Sequence, residues 1–318
     1  MRENKVVYGL IGYGGMGRWH TEILSNVPEA VIGGIYDIKE EKREEAKEKG
    51  FFVYETEEAM LADPDIDVVL IATPNDCHKP IAIRAMHAGK NVISEKPVTL
   101  SSADLLEMEN AAKETGKLLT VHQNRRWDDD FLIIKKLVEE QKLGHVFRIE
   151  SRVHGSRGIP GDWRKEKVHG GGMVLDWGVH LLDQILYMYG DRKIETVYAS
   201  LTNVTNQEVD DGFTAILTFE GGTEVLVEVG TNNYISLPRW YVLGEDGTAV
   251  IRDWQLNGEI IRKTGRTEET VVPVKTAAGL TKTMAPRRED TIVKEDLPKV
   301  SGAVSYTHLR AHETSAHL

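Results

Sequence analysis

Short apolar runs alternate with amphipathic stretches over residues 5–121. The runs contain few polar positions, as strands do when both faces of a parallel sheet are covered. They fall at residues 6–11, 31–36, 68–72, 91–93 and 118–121. The stretches between them predict helices near residues 15–26, 39–49, 77–88 and 101–115, the last capped by Ser101-Ser102-Ala103-Asp104. Strands that alternate with helices predict a doubly wound α/β domain, which we place at residues 1–123.

The pattern changes from residue 124 onward. Residues 125–143 predict a helix that ends at Gly144, with Phe131, Ile134, Leu137 and Val138 on its apolar face. A strand begins in 144–150, and a helical segment at 173–189 is followed by strand-like runs at 194–204, 212–220, 223–231, 239–243, 248–252 and 257–262. Tight turns at 220–223 and 245–247 join neighbouring runs. Consecutive strands joined in this way predict an antiparallel sheet, so residues 124–302 are expected to form an α+β domain.

Composition narrows the class of protein. The chain has 318 residues, of which 41% are hydrophobic and 28% charged, a balance typical of about two globular domains. Its 39 basic and 50 acidic residues give a formal net charge of −11, which argues against nucleic acid or an anionic membrane as a partner. Cys77 is the single cysteine, so neither an intrachain disulfide nor a cysteine metal cage is expected. No apolar run reaches about 18 residues and no signal peptide is recognisable, so we expect a cytoplasmic protein.

The last residues, 303–318, do not continue the pattern that precedes them. They resemble the translated sequencing-adapter read-through found at the ends of some assembled genes. We therefore expect a non-native tail after about Gly302 and a natural C-terminal segment that is missing. His308 and His312 are spaced as zinc ligands on a helix can be, but the other expected ligands and a scaffold are absent, so no metal site is predicted.

A glycine-rich turn, Gly12-Tyr13-Gly14-Gly15-Met16-Gly17, follows the first predicted strand and opens the first predicted helix. In this G-x-G-x-x-G arrangement the first glycine makes the turn, the second admits a pyrophosphate to the backbone, and the third packs helix against strand. The helix N-terminus then offers N–H groups to the phosphates. The turn therefore predicts a dinucleotide site.

Asp37 closes the second predicted strand, about 20 residues after the glycine turn. There its carboxylate can accept hydrogen bonds from the ribose hydroxyls and would repel a 2′-phosphate. No arginine follows it directly, because the next residue is Ile38. NAD is therefore predicted in preference to NADP. The alternative is that Asp37 caps the helix that starts at Lys39.

A second turn, Thr73-Pro74-Asn75-Asp76-Cys77-His78, follows the strand at 68–72. Ligands of such sheets bind outside the carboxyl ends of the strands, so the Asn75 amide is a candidate cofactor contact. Asn75 and His78 can equally form the turn and cap the next helix. Cys77 is expected to fill space rather than to act as a nucleophile.

Lys96 follows the strand at 91–93, in Ser94-Glu95-Lys96-Pro97, on the same rim as the glycine turn. An ammonium group at this place can polarise a carbonyl or stabilise an alkoxide. The peptide bond before Pro97 is a candidate cis bond. The alternative is an ordinary surface lysine after a strand.

A third cluster, Gly170-Gly171-Gly172…Asp176…His180…Asp183, lies in the second predicted domain. His180 is four residues after Asp176, so both are expected on one side of a helix. A histidine is suited to removing a hydroxyl proton near neutral pH, and Asp176 can orient it or hold a substrate hydroxyl. The alternative is that these are structural polar residues of the helix. Together with Lys96 they indicate redox chemistry on a hydroxyl or carbonyl.

These motifs resemble the Gfo/Idh/MocA oxidoreductases, a family named for glucose–fructose oxidoreductase and inositol dehydrogenase. The resemblance covers about residues 5–302, and it rests on the glycine turn, Ala72-Thr73-Pro74-Asn75…His78, Glu95-Lys96-Pro97 and Gly171-Gly172…Asp176…Gly178…His180…Asp183. It implies a Rossmann domain followed by a large open antiparallel β-sheet that makes homodimer or homotetramer contacts. It also implies that the catalytic set is Lys96, Asp176 and His180.

The resemblance also implies where the cofactor contacts lie. The segment from Asn124 to Phe131 is similar to one that enters the site in inositol- and sugar-dehydrogenase-like members, although Trp127 can instead pack in the core and Arg125 lie on the surface. Trp163-Arg164 is similar to a dipeptide that reaches the nicotinamide end in some members. Glu95 is expected to be structural or to touch the nicotinamide ribose. The predicted cofactor-binding residues are Gly12, Tyr13, Gly14, Gly15, Met16, Gly17, Asp37, Thr73, Pro74, Asn75, His78, Glu95, Lys96, Asn124, Trp163 and Arg164.

The leading hypothesis is an NAD-dependent dehydrogenase for a secondary alcohol of a polyol, inositol or sugar. His180 would remove the hydroxyl proton, and Lys96 would stabilise the developing alkoxide. A same-family alternative keeps NAD bound and oxidises a sugar transiently, for glycoside cleavage or interconversion. A non-catalytic nucleotide-sensing regulator is the rival from another class, and it would need the glycine turn and Asp37 but not Lys96 with His180.

Overall fold

The computed structural model describes residues 5–266 and 270–300. Its first part contains five strands that pair in one parallel sheet. They are β1 (Val6–Ile11), β2 (Ala30–Tyr36), β3 (Val68–Ile71), β4 (Asn91–Glu95) and β5 (Leu119–His122). Their order across the sheet is β2-β1-β3-β4-β5. The predicted doubly wound parallel sheet is therefore confirmed.

Five helices connect these strands and cover both faces of the sheet. They are α1 (Gly15–Leu24), α2 (Glu40–Glu48), α3 (Glu57–Ala62), α4 (His78–His87) and α5 (Ser102–Thr115). One apolar cluster includes Met60, Met86 and Met108, and the other includes Leu24 and Ile35. The predicted cap of α5 is also confirmed, because the Ser101 hydroxyl accepts a hydrogen bond from the Asp104 amide at 3.2 Å.

The order of the strands determines where a ligand can bind. The chain runs from β1 outward to β2 and then returns to β3 on the other side of β1. Such a switch point opens a crevice beyond the carboxyl ends of the strands. The residues after β1, β3 and β4 share this rim, and they are the glycine turn, the Thr73 turn and Lys96.

The second part is built on an eight-stranded sheet. Its strands are β6 (Val146–His154), β7 (Ile194–Thr202), β8 (Gly212–Phe219), β9 (Glu224–Gly230), β10 (Trp240–Gly244), β11 (Gly247–Ile251), β12 (Gly258–Lys263) and β15 (Ile292–Glu295), and a separate hairpin is formed by β13 (Val274–Thr276) and β14 (Gly279–Thr281). The order across the sheet is β15-β12-β11-β10-β6-β9-β8-β7. Neighbouring strands are antiparallel except for β6 and β9, which are parallel. The sheet is thus mostly antiparallel, as predicted.

Helices α6 (Asp129–Glu139) and α7 (Val179–Tyr189) cover one face of this sheet. Phe131, Ile134, Leu181 and Ile185 pack there against inward side chains such as Trp240. The other face carries a charged network in which Arg148 and Arg152 pair with the glutamates of β6 and β9. One face is therefore apolar and covered by helices, and we call the other, which carries the charged network, the open face of the sheet.

Two local predictions differ from the structure, and four short elements were not predicted. The helix expected at 125–143 is instead a 3₁₀ turn (Asn124–Trp127) followed by α6, because Asp128 between them is extended. Residues Val174–Gly178 form a π-helical segment before α7, so the α-helical spacing assumed for Asp176 and His180 does not hold there. The short elements α3, β13, β14 and β15 carry too few residues for a periodic pattern, and the sequence did not predict them.

Some predictions concern the limits of the chain. Residues 303–318, with His308 and His312, lie outside the described residues. The boundary between domains at 123/124 stays a prediction; β5 ends at His122 and the 3₁₀ turn starts at Asn124. Among the helices of residues 5–266 and 270–300, none is long and apolar enough to cross a membrane.

Candidate active site

The glycine turn is shaped by two close backbone contacts. Gly12 has φ +98°, and a Cβ atom on it would lie 2.5 Å from the carbonyl oxygen of Ala72. A Cβ atom on Gly17 would lie 2.1 Å from the carbonyl oxygen of Gly12. Any side chain at either position would therefore push helix α1 or β3 away from the turn. These two glycines are required by the packing of the protein itself.

The two middle glycines are not explained by packing. A Cβ atom on Gly14 or Gly15 would meet no atom within 4 Å, so both face open space at the N-terminus of α1. Within the described residues no side chain caps this helix end, since Gly14 is the N-cap residue. The free backbone N–H groups and the missing side chains form a cradle that fits the pyrophosphate of a dinucleotide.

Asp37 is held at the edge of this cradle. Its Oδ2 accepts a hydrogen bond from the Tyr13 amide at 2.7 Å, and its Oδ1 accepts one from the Lys39 amide at 2.8 Å. The carboxylate therefore ties the end of β2 to the glycine turn and to the backbone before α2. The N-cap residue of α2 is Lys39, with no side-chain capping hydrogen bond, and the ribose contact of Asp37 stays a prediction. Ile38 beside it is 83% exposed. A carboxylate fixed in this way fits the ribose of a bound nucleotide.

The Thr73 turn connects the two halves of the molecule. The Asn75 side-chain amide donates to the carbonyl oxygen of Gly170 at 2.8 Å. Buried His78 places Nδ1 2.8 Å from the Pro97 carbonyl oxygen and Nε2 3.0 Å from the Thr73 carbonyl oxygen. Both ring nitrogens thus face backbone carbonyls, which favours the turn-forming role of His78 over direct contact with a cofactor.

Lys96 lies between the two parts of the chain, directly against Asp176. Its Nζ donates to the Asp176 backbone carbonyl at 2.8 Å and to Asp176 Oδ1 at 3.1 Å. Arg164 Nε lies 3.3 Å from the same Oδ1. Burial opposes ionisation of the Asp176 carboxyl, but Lys96 and Arg164 outweigh it and lower its pKa. The peptide bond between Lys96 and Pro97 is cis, as the sequence suggested.

Glu95 joins a buried cluster behind Lys96 that the sequence did not predict. Its Oε1 lies 2.7 Å from His20 Nε2 and 3.0 Å from His122 Nδ1. Its Oε2 accepts a hydrogen bond from the Lys96 amide at 3.2 Å. Burial would raise the pKa of Glu95, but hydrogen bonds from His122 and His20 lower it well below its usual range. The sequence could not show this cluster, because its members come from α1, β4 and β5.

In the described ranges, this cluster is the one group of three or more histidine, cysteine or acidic side chains that is close enough to hold a metal ion. The ligand atoms of His20, Glu95 and His122 all lie within 4.8 Å of one another. Two imidazoles and a carboxylate are a donor set suited to transition metals. Because Glu95 already hydrogen-bonds to both rings at 2.7 and 3.0 Å, the cluster is satisfied as a hydrogen-bonded unit.

His180 lies on α7, buried beside this group of charges. It is 4% exposed, and its Nδ1 has no hydrogen-bond partner. Burial, followed by the nearby charges of Lys96 and Arg125, lowers the pKa of His180 to about 2. The imidazole is therefore neutral over the whole physiological range, and it can accept a proton.

The neutral state of His180 should affect how the stability of the protein changes at acidic pH. Unfolded, a histidine binds a proton near its ordinary pKa of 6.5, whereas folded His180 stays neutral down to about 2. It therefore makes the folded state less stable as the pH falls below 6.5. We expect His180→Asn to gain stability relative to the wild type as the pH is lowered from 7 to 5, with a slope difference of at most about 1.4 kcal/mol per pH unit. Urea unfolding at several pH values measures it, and parallel curves for both proteins would contradict it.

Three contacts hold the Asn124–Trp127 turn against α7 and the π-helical segment that precedes it. Arg126 makes two hydrogen bonds to Asp183, at 2.8 and 2.6 Å. Gln184 Nε2 donates to the Arg125 carbonyl oxygen at 2.6 Å. The Arg125 guanidinium lies 4.1 Å from the centroid of the Trp177 ring. Asp183 is thus engaged in holding this turn. Gln184 was missed, although its place four residues after His180 on a helix was visible in the sequence.

The predicted site residues divide into two groups in space. The first group is centred on Asp176, which contacts Lys96 and Arg164. His180 belongs to the same group, because the charge of Lys96 acts on it. Asn124 lies in the adjoining turn, with a buried Oδ1 that has no partner. Trp163 lies under Arg164, whose guanidinium is 4.6 Å from the ring centroid. The glycine turn and Asp37 form the second group, further along the same rim.

A Rossmann sheet with an open glycine turn, and with a lysine at its rim that contacts an aspartate beside a buried histidine, is typical of a nucleotide-binding oxidoreductase. Residues 6–123 match the sequence profile of an oxidoreductase family with an NAD-binding Rossmann fold, and residues 131–250 match the GFO/IDH/MocA C-terminal domain. The chain belongs to the GFO/IDH/MocA oxidoreductase family.

Several known proteins are similar to the chain. The crystal structure of an NAD-binding protein from Listeria innocua has a TM-score of 0.94 and 50% identity, and the match covers 98% of this chain and 89% of that one. The uncharacterized oxidoreductase YdgJ of Escherichia coli is 36% identical over 57% of this chain and 53% of its own length. The scyllo-inositol 2-dehydrogenase (NADP(+)) IolW of Bacillus subtilis is 31% identical over 76% of this chain and 67% of its own length. The chain thus spans about half to two thirds of these two curated relatives.

Proposed function

We propose that the protein is an NAD-linked dehydrogenase that transfers hydride between nicotinamide and a secondary alcohol or ketone of a sugar, inositol or related polyol. The main support for this function is the direct contact of Lys96 Nζ with Asp176, at 2.8 and 3.1 Å, beside a neutral, buried His180. The similarity to an inositol dehydrogenase supports this substrate class.

In this proposal the chain supplies acid–base chemistry and charge stabilisation, while the bound nicotinamide accepts the hydride. Neutral His180 takes the hydroxyl proton of the substrate. Lys96 donates a hydrogen bond to the same oxygen as negative charge develops on it. That charge also favours the imidazolium, so the pKa of His180 rises during the reaction from its low value in the free protein. Asp176 holds the ammonium group of Lys96 in place.

The cofactor contacts on the Rossmann side are part of the same proposal. The open cradle at Gly14 and Gly15 receives the pyrophosphate, and Asp37 receives the adenosine ribose. Glu95 accepts a hydrogen bond from the backbone amide of Lys96, so we propose that Glu95 positions Lys96 rather than contacting the cofactor directly. NAD is proposed over NADP because the Asp37 carboxylate would repel a 2′-phosphate.

The choice between NAD and NADP can be tested at Asp37. We expect Asp37→Asn to raise the ratio of kcat/KM for NADP over NAD about tenfold, the effect of roughly 1.4 kcal/mol of lost repulsion. Initial rates with both cofactors measure the ratio. Glu41→Gln, which removes an exposed carboxylate from the first turn of α2, serves as the control. An unchanged ratio in Asp37→Asn would show that the carboxylate does not select the cofactor.

The function itself is tested by following NADH absorbance with inositols, aldoses and glycosides in turn. We expect at least one cyclic polyol or sugar to reduce the cofactor, with NADH forming from NAD faster than NADPH forms from NADP. The proposal fails if no compound in the panel reduces either cofactor. Substrate turnover with nucleotide that stays bound through purification, and without net NADH release, would favour transient oxidation instead.

We also propose that the open face of the eight-stranded sheet makes contacts between copies of the chain. The face carries both signs of charge, with Arg148 and Arg152 beside Glu150 and Glu228, so it can pair with a second copy of itself. Light scattering on the purified protein measures the oligomeric state, and a monomer at all concentrations would contradict it.

A further inference from the structure

Two arginines and two tryptophans form a continuous stack that leads to His180. The Arg239 guanidinium lies 3.6 Å from the centroid of the Trp254 ring, and the Arg125 guanidinium lies 5.6 Å from the same ring. Arg125 is also 4.1 Å from the Trp177 ring, which is 6.0 Å from His180. The two tryptophan rings are 5.9 Å apart. We call Arg239, Trp254, Arg125 and Trp177 the stacked wall.

The stacked wall is rigid at its base and open at Trp254. Arg239 is 5% exposed, and it donates to Asp130 at 2.5 Å and to the Arg152 carbonyl oxygen at 2.7 Å. Trp254 stands in the turn between β11 and β12 and remains 48% exposed. A large aromatic ring that is held on one side and bare on the other is suited to stacking against a ligand.

The charges of the stacked wall are balanced. Arg239 pairs with Asp130 at 2.5 Å, and Arg125 pairs with Asp128 at 2.9 Å. Each guanidinium therefore has its own carboxylate, and neither offers an uncompensated positive charge to a phosphate or a carboxylate. Aromatic faces with hydrogen-bonding groups at their edges fit the apolar faces and hydroxyl groups of a sugar or cyclitol ring.

We propose that Trp254 and Arg125 form the ring-binding wall of the substrate site, for a neutral hydroxylated ring. The ring stacks on Trp254 and hydrogen-bonds to the Arg125 guanidinium, and its reacting carbon points along the wall towards His180 and Lys96. This inference rests on the proposed function, because it names the substrate class of the same site. It selects uncharged pyranoses and cyclitols over phosphorylated sugars.

The test is ligand binding measured by calorimetry in the presence of saturating NADH, with myo-inositol, D-glucose and glucose 6-phosphate as probes. We expect the wild type to bind at least one neutral ring, and glucose 6-phosphate more weakly than glucose. Trp254→Ala should lower the affinity for the neutral ring about tenfold or more. Trp254→Phe should lower it by about threefold or less, because a flat aromatic side chain remains. The NADH affinity should stay unchanged in both variants.

Phe147→Ala is the matched control, because Phe147 is an aromatic residue of similar exposure, 44%, on β6. The inference is overturned if Trp254→Ala binds the ring as the wild type does, if the wild type binds neither neutral ring, or if it prefers glucose 6-phosphate. Its failure can be told from failure of the proposed function. If ring binding depends on Trp254 but no NADH forms, the dehydrogenase function is contradicted and the ring-binding wall is not. If Trp254→Ala turns over a substrate with unchanged KM, the ring-binding wall is contradicted and the dehydrogenase function is not.

Discussion

Replacing Lys96 by alanine is expected to lower kcat by about 10²–10³-fold, the usual cost of removing one donor to a developing oxyanion. The ammonium group lies 3.1 Å from Asp176 Oδ1 and close to His180, so its loss removes the positive charge nearest to the proposed reacting oxygen. NADH affinity should change by less than about twofold, because the glycine turn and Asp37 are untouched. Stopped-flow turnover and fluorescence titration with NADH measure the two quantities separately.

A surface lysine provides the matched control for this experiment. Lys79 on α4 pairs with Asp104 at 2.5 Å, so Lys79→Ala also removes an ion-paired ammonium group, but away from the rim. Its turnover should stay within about twofold of the wild type, as for most exposed pairs. If Lys96→Ala and Lys79→Ala had the same kcat on a substrate that the wild type turns over, Lys96 would have no part in the chemistry.

Much of the framework follows from local patterns in the sequence. The buried strands β1, β3 and β4 are short apolar runs, and each is followed by a turn with recognisable chemistry. Parallel strands place these turns on one rim, so the sequence alone predicts that Gly12 and Lys96 belong to the same site. The hairpin turn at Gly221 and Gly222 was equally visible, because both residues adopt positive φ angles that glycine allows.

The remaining features depend on contacts between distant parts of the chain. The Glu95 cluster joins a helix and two strands, and the Arg126–Asp183 pair joins a 3₁₀ turn to α7. Trp254 lies in a turn that shows no motif, and its role emerges only from its position against Arg125 and Arg239. No periodicity in the sequence records which side chains meet across such distances, so these groups could not be predicted.

The π-helical segment Val174–Gly178 shows why spacing alone was insufficient. The sequence placed Asp176 and His180 on one side of an α-helix, four residues apart. In the structure the wider turn carries Asp176 to Lys96, while His180 lies in the first turn of α7. Single π-helical turns occur frequently at functional sites, because they redirect one side chain without ending the helix.

His180→Asn is expected to lower kcat by about 10²–10⁴-fold, the range for loss of a general base. Asparagine keeps a polar side chain of moderate size in the buried site but cannot take up the proton. NADH binding should be retained, because His180 belongs to α7 rather than to the Rossmann sheet. Added imidazole should restore part of the lost rate, since it can act as a base in the space that the ring vacates, and this readout separates a chemical role from a structural one.

The pH dependence gives a second measure of the same residue. Because the pKa of His180 is lowered to about 2, the wild type should keep its base unprotonated well below pH 6.5, and kcat/KM should show no acid limb from this histidine there. Removing the positive charge of Lys96 takes away one cause of that lowering, so any residual activity of Lys96→Ala should fall off at a higher pH than that of the wild type. His145→Gln, at an exposed position, is the control and should leave both rate and profile unchanged. His180 would be ruled out as the base if His180→Asn turned over substrate as fast as the wild type. It would also be ruled out if added imidazole increased the rate of His145→Gln as much as that of His180→Asn.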